Sequence, residues 1–160
     1  MITIEKFVDA DTKDVIELVL HFQNDGTRPA VSVEDQPDLL HITEKYINTG
    51  GFFWVAKDNG KFAGSIGLMP ASGKIALLKK FFVYEKYQGA PHHLGQKLYG
   101  ELHHFAKQRD FQILLLDTPK NTHRAHKFYK MAGFEKIEEK DLPVAFSHPY
   151  EDCDFFLLRL

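Results

Sequence analysis

The apolar run Ile113-Leu114-Leu115-Leu116 is the tightest constraint in this sequence. Four such residues in a row cannot alternate between core and water, so Phe111 to Leu116 reads as a strand buried on both faces. This run, like the chain's other apolar runs, falls far short of the roughly 20 residues that a membrane helix needs. A strand covered on both faces demands a substantial core. The chain has 160 residues, of which 44% are hydrophobic and 26% charged, and that composition can supply one. No internal repeat or low-complexity linker interrupts it, so residues 1–160 are expected to fold as a single domain.

Other segments fill in around that strand. Ile2-Thr3-Ile4 alternates as a short strand does, and Asp11 stands where it could cap a following helix. Val15, Ile16, Val19, Leu20 and Phe22 repeat at helical spacing. A less regular helix is expected from Pro37 to Ile47, ended by Gly50–Gly51. Phe52 to Ala56, Phe62 to Leu68 and Lys74 to Tyr84 read as a three-stranded meander, with Asp58-Asn59-Gly60 as its first turn. Leu94, Leu98, Leu102, Phe105 and Ala106 predict a helix over 92–109, and Ala125, Phe128, Tyr129 and Ala132 predict another, stopped by Gly133. Asp154 to Leu160 is the last strand. The order predicts a mixed α/β fold.

Charge and cysteine content exclude several functions. Twenty Lys+Arg against 22 Asp+Glu give a net charge of −2, with no basic block of the kind that grips nucleic-acid phosphates. The start, Met1-Ile-Thr-Ile-Glu-Lys, lacks the basic and apolar blocks of a signal peptide. The single cysteine, Cys153, cannot form an internal disulfide, which points to a reducing, cytoplasmic setting. Cys153 reads as a small buried residue, since no basic cluster activates it.

The segment Tyr87-Gln-Gly-Ala-Pro-His-His-Leu-Gly95 leads from a strand into a helix N-terminus. Backbone N–H groups converge there, and the helix dipole adds roughly half a positive charge, which suits a pyrophosphate. A plain connecting loop would also use Gly89 and Pro91 as punctuation, so the loop alone leaves both readings open.

This stretch resembles the GNAT acyltransferase superfamily, whose loop reads Gln/Arg-x-x-Gly-x-Gly/Ala after a strand like Leu77-Leu-Lys-Lys-Phe-Phe-Val-Tyr84. Gln88 and Gly89 match its opening and Leu94-Gly95-x-x-Leu98 its close. Ala90-Pro91-His92-His93 is about two residues longer than usual, and His93 stands where glycine is common. Ala125-His-Lys-Phe128-Tyr129-Lys-Met-Ala-Gly133-Phe134 fits the family's Ala-x-x-Phe/Leu-Tyr-x-x-x-Gly-Phe pattern position by position. The family's asparagine three residues before that alanine is replaced by Thr122, with Asn121 one place earlier as an alternative helix cap and cofactor contact.

The resemblance implies a mostly antiparallel sheet with a splayed pair of central parallel strands, flanked by about four helices. It implies direct acetyl transfer from acetyl-CoA to a primary amine, on a small molecule or a protein N-terminus. A catalytically silent acyl-CoA-binding module is the alternative. Expected cofactor contacts are Phe82, Val83, Gln88, Gly89, Ala90, His93, Leu94, Gly95, Gln96, Asn121, Phe128 and Tyr129. A backbone N–H near Phe82 or Val83 would polarise the thioester carbonyl, and Tyr129 would protonate the departing sulfur. Expected partners are the amine acceptor and, optionally, a second copy as a homodimer, with neither nucleic acid nor membrane.

Some family members place a glutamate on the long strand, but Ile75 to Val83 contains no carboxylate. Glu34, Asp35, Glu135 or a water chain could take the proton, and the role is left unassigned. Acceptor choice in this fold is expected from the first two helices and the Pro143–Asp152 loop, whose Glu34, Asp35, Asp38, Glu151 and Asp152 could attract a cation. Nine histidines raise a metal reading. The pairs His92–His93, His103–His104 and His123–His126 carry no HExxH or Cys–His spacing, so no metal is expected.

Overall fold

The computed structural model describes residues 1–27, 29–145, 148 and 152–160. Seven strands form one sheet: β1 (Ile2–Lys6), β2 (Phe52–Asp58), β3 (Lys61–Pro70), β4 (Ile75–Val83), β5 (Ile113–Pro119), β6 (Glu135–Ile137) and β7 (Cys153–Arg159), in the order β1-β2-β3-β4-β5-β7-β6. Every neighbouring pair is antiparallel except β4 with β5. Among the described residues three α-helices cover it: α1 (Thr12–Gln23), α2 (Leu94–Gln108) and α3 (His123–Met131). The helix expected over Pro37–Ile47 forms in two pieces, a 3-10 turn at Pro37–Leu40 and a π-helical turn at Thr43–Ile47. His41 breaks between them at φ −140° and ψ 43°.

The double-faced burial read from the apolar run is visible residue by residue. Leu114 and Leu116 join the core beneath α2, with Trp54, Ala56, Leu98 and Phe156, while Leu115 packs on the opposite face with Leu77 and Leu157. The same alternation divides β2, whose Phe53 and Val55 meet α1 and Tyr46. Each fully buried leucine here is worth roughly 1.5–3 kcal/mol of removed apolar surface. Gly67 lets the Thr43–Ile47 turn dock, because a Cβ there would lie 2.6 Å from the Phe53 ring and 2.8 Å from that of Tyr46.

Asp11 occupies the N-cap position of α1, but its carboxylate turns back to accept from the Val8 amide at 3.1 Å and from Lys57 Nζ at 3.1 Å. The three-residue β6 has no sequence signature, being short and mostly polar.

Two irregularities position everything that follows. β4 and β5 pair only at Ile75↔Ile113, Ala76↔Leu114 and Leu77↔Leu115, although both strands continue beyond. Past Leu77 the two strands diverge. In that stretch the β3–β4 register slips by one between Ser65↔Phe82 and Gly67↔Lys79, a β-bulge. Lys80 sits in the bulge with a left-handed φ of 54°. Its displaced carbonyl accepts a 2.7 Å hydrogen bond from the Ser65 hydroxyl, which is fully buried. Ser65→Ala should therefore leave a buried acceptor without its donor and cost about 1–3 kcal/mol. The measurement is a lowered urea midpoint with an unchanged m-value, and an unaltered midpoint would show that the bulge needs no such brace.

Candidate active site

The divergence of β4 and β5 opens a cavity of about 630 Å³ through the sheet. One wall is β4 from Leu78 to Val83; the facing wall is Asp117, Thr118 and Pro119 of β5 with Ala125, Phe128 and Tyr129 of α3. The end of α1 adds Phe22 and Gln23, and the strand-to-helix loop adds Gln88, His93, Gly95 and Gln96. The Tyr84 amide donates to Ala63 on β3 at 2.9 Å, so the alternation of an extended strand turns the Val83 amide and carbonyl to the open edge and the Phe82 amide to β3. Gln88 Nε2 donates to that Val83 carbonyl at 2.8 Å, folding the loop against the strand end.

The loop closes through left-handed residues. Gly89 has φ 66° and His93, the N-cap residue of α2, has φ 46°, and the His93 amide donates to the Gly89 carbonyl at 2.7 Å. A histidine thus occupies a backbone position that favours glycine. Gly95 needs no unusual φ, and a Cβ there would meet only the Phe81 ring at 3.7 Å. His93 shares the loop end of the cavity with His123 and Arg124.

Tyr129 reaches the cavity from α3 and is 6% exposed, ringed by Phe81, Phe128, Phe134 and Phe156. Its hydroxyl has no hydrogen-bond partner among the described residues. Burial, then Asp117 and Tyr99, push its pKa well above the ordinary phenol value. Asp117 enters from β5. Burial raises its pKa, opposed by Lys79, His148 and Lys80. Beside it Cys153 is pushed up to about 12, chiefly by burial.

Beneath the bulge lies a buried polar network. Lys80 Nζ donates to Gln36 Oε1 at 2.7 Å and stands 3.8 Å from Asp38; the Gln23 and Gln36 amides pair with each other, and Tyr46 donates to Asp38 at 2.6 Å. Lys80 and Asp117 were not among the residues anticipated from sequence, while Asp38, anticipated as a possible acceptor contact, is engaged with Tyr46 and Lys80. Lys80 could have been suspected only through its neighbours, since nothing local marks the bulge.

Of the anticipated contacts, Phe82, Val83, Gln88, His93, Gly95, Gln96, Asn121, Phe128 and Tyr129 line the cavity. Gly89, Ala90 and Leu94 do not; Leu94 is fully buried in the core. The proposed cap is corrected: Thr122 is the N-cap residue of α3, and Asn121 Nδ2 donates instead to the Thr27 carbonyl at 3.3 Å. Thr122 Oγ1 bonds Thr118 Oγ1 at 2.7 Å and the Pro119 carbonyl at 2.6 Å, tying α3 to β5 and setting that register.

The acidic residues considered for the base or the acceptor lie elsewhere. Glu34, Asp35 and Glu135 are exposed, and Asp35 accepts from Ser32. Asp38 is engaged with Tyr46, Asp152 pairs with Lys120 at 3.4 Å, and Glu151 lies outside the described residues. The His123 and His126 rings stand 6.4 Å apart. Among the described residues, Asp117, His148 and Cys153 bring donor atoms within 4.8 Å of one another. Burial holds the thiol of that trio protonated, and a thiol is a far weaker metal ligand than a thiolate.

Residues 16–134 match the sequence model of the acetyltransferase (GNAT) family. The fold is shared with an acetyltransferase from Streptococcus agalactiae, 34% identical, covering 99% of this chain and 98% of the other at a TM-score of 0.94. A GNAT-family acetyltransferase from Staphylococcus aureus is 28% identical, with 99% of each chain covered and a TM-score of 0.92. The "Probable N-acetyltransferase camello" of Xenopus tropicalis is 31% identical over 109 residues, 66% of this chain and 49% of the relative. The chain thus spans about half the length of the curated relatives it matches. It belongs to the acetyltransferase (GNAT) family.

Lys80 makes a pH-dependent contribution to stability. Burial lowers its pKa to about 8, with Lys79 adding to the effect and Asp38 and Asp117 opposing it. The unfolded lysine titrates near its ordinary value of about 10.4. Between those values the unfolded chain binds more protons, so stability rises with pH across that window. The difference in urea midpoint between the wild type and Lys80→Met should shift in favour of the wild type from pH 8 to pH 10. Parallel curves would refute the depressed value.

Proposed function

We propose that the chain, acting as one domain over residues 1–160, transfers the acetyl group of acetyl-CoA to a primary amine on a small molecule or peptide. The observation that carries this reading is the unpaired β4 edge between Leu78 and Val83, opening onto the buried Tyr129 of α3. The open edge offers backbone groups to a pantetheine arm as an added strand would. Val83, whose amide faces the gap, is the donor for the developing oxyanion. The α2 N-terminus, His93, His123 and Arg124 supply positive potential for the phosphates. The PaiA N-acetyltransferase from Thermoplasma acidophilum, which has the same fold at a TM-score of 0.76 and 15% identity, is in complex with coenzyme A, in keeping with this use of the cleft.

Tyr129 serves as the general acid. A thiolate leaving into a partly enclosed, largely apolar cavity is poorly solvated, so it needs a proton close at hand. The raised pKa of Tyr129 keeps that proton in place until the sulfur departs. At the acceptor end Phe22 stacks on Phe82 with ring centroids 5.7 Å apart. With Glu34, Asp35 and Asp38 outside the lining, an amine with an apolar flank fits better than a polyamine.

Acetyl-CoA should raise the melting temperature by mass action. A panel of amines should then release thiol; a thermal shift without any release would favour the silent binding module. Gly95→Leu should fold normally, since its Cβ has room and its φ is ordinary, yet lose the acetyl-CoA shift because the side chain fills the cavity. Tyr129→Phe should lower kcat by about 10²–10⁴-fold with KM for acetyl-CoA little changed. Because the hydroxyl has no partner to lose among the described residues, its stability should hardly move, and near-normal single-turnover rates in this variant would remove Tyr129 from the mechanism.

A further inference from the structure

The missing carboxylate of β4 has a counterpart across the gap. We infer that Asp117 of β5 is the general base that takes the proton from the attacking amine, an assignment that rests on the acetyl-transfer reading.

Face parity supplies the first argument. Leu114 and Leu116 point into the α2 core that also holds Tyr129, whereas Leu115 points to the opposite face, with Leu77. Alternation puts Asp117 on the face of Leu115. Asp117 and Tyr129 therefore reach the one cavity from opposite faces of the sheet, and both line it. An acyl group held in the gap would have its acid on one side and its base on the other.

Elimination supplies the second. Of the carboxylates considered from sequence, the described ones lie outside the cavity lining, and among the described residues the lining contains two carboxylates, Asp25 and Asp117. Asp25 accepts from the Thr27 amide at 3.0 Å and the Thr27 hydroxyl at 2.6 Å, beyond the end of α1. Asp117 stands two residues past the last β4–β5 pair, where the strands part.

The surroundings suit a base. Asp117 is faced by Lys79 and Lys80 of β4, Tyr46 of the π-helical turn, Tyr129 of α3, Cys153 of β7 and His148. Burial raises its proton affinity above that of an exposed aspartate, while the facing cations favour its charged form. His148 directs Nδ1 at Cys153 Sγ, 3.5 Å away, and Nε2 at Glu139, 3.9 Å away, and is not among the lining residues.

The protons balance. A neutral amine attacks the thioester carbon, the C–N bond forms and the C–S bond breaks. The nitrogen's proton passes to the Asp117 carboxylate and the Tyr129 proton passes to the sulfur. Protonated Asp117 then returns its proton, through water, to the Tyr129 phenolate, and both groups are restored.

The test uses acetyl-CoA with the panel amine of highest turnover, read as single-turnover acetyl transfer across pH 5–9. Asp117→Asn should keep the acetyl-CoA thermal shift, lose about 10²–10⁴-fold in the transfer rate, and lose the acidic limb that remains in the wild-type profile once the amine's own protonation is divided out. Asp117→Glu should recover part of the rate and restore that limb. A folded Asp117→Asn protein with near-wild-type transfer and an intact acidic limb would overturn the assignment. So would loss of the limb in His148→Gln with Asp117→Asn unaffected. A wild type that neither binds acetyl-CoA nor releases thiol would instead overturn the acetyl-transfer reading itself.

Discussion

Three residue pairs hold β4 to β5, and then the strands part. Leaving the interior edge of a sheet unpaired is costly, because backbone N–H and C=O groups in a partly buried setting need partners. The chain reduces that cost in two places. The Ser65 hydroxyl accounts for the carbonyl displaced by the bulge, and Gln88 accounts for the carbonyl of Val83. What stays open is the middle of the β4 edge, at the depth where Tyr129 and Asp117 enter. The cavity is thus a built-in defect in the sheet, and Tyr129, Asp117 and the loop into α2 are all placed relative to it.

The bulge is held at some expense. Lys80 combines a left-handed backbone with a side chain that is 4% exposed, and each is unfavourable taken alone. Its ammonium is matched by Gln36 and, at longer range, by Asp38, and these residues come from the irregular segment between α1 and β2. Tyr46 and Gly67 then fasten that segment to β2 and β3. Stability alone would favour an apolar residue at this point. An observed backbone outlier that is over-determined by its surroundings, beside a cavity, fits a site whose shape matters more than its cost.

Much of this was legible in the sequence, for reasons that differ by element. The apolar run announced a central strand because burial on both faces leaves no polar positions, and the structure divides Leu114, Leu115 and Leu116 between two cores. The Ala125–Phe134 segment was legible because helical periodicity and a glycine stop are local signals. The bulge at Lys80 was not, since it is a mismatch between two strands and neither strand shows it alone. The single helix expected over Pro37–Ile47 failed for a related reason: Gln36, Asp38 and Tyr46 serve the buried lysine, and that tertiary demand breaks the helix at His41. Thr122 rather than Asn121 takes the N-cap position of α3, where its hydroxyl ties the helix start to Thr118 and Pro119 of β5 instead of capping a backbone amide.

The position of the base shows how sequence neighbourhood and spatial neighbourhood separate in a splayed sheet. A carboxylate was sought on β4 because some members of the family it resembles carry a glutamate on that strand. β4 instead presents Lys79 and Lys80 there, and a second strand wall faces them across the gap. In sequence, Asp117 reads as the polar end of an apolar strand followed by threonine and proline, an ordinary exit. Its significance comes from the three-pair limit on the β4–β5 ladder, which frees the strand two residues earlier. With cations on one wall and a carboxylate on the other, the charges of the site remain paired across the space where an amine would lose its proton. The cation–carboxylate arrangement that a solvated surface would screen is here kept strong by burial, so one aspartate suffices where exposed acids nearby would not.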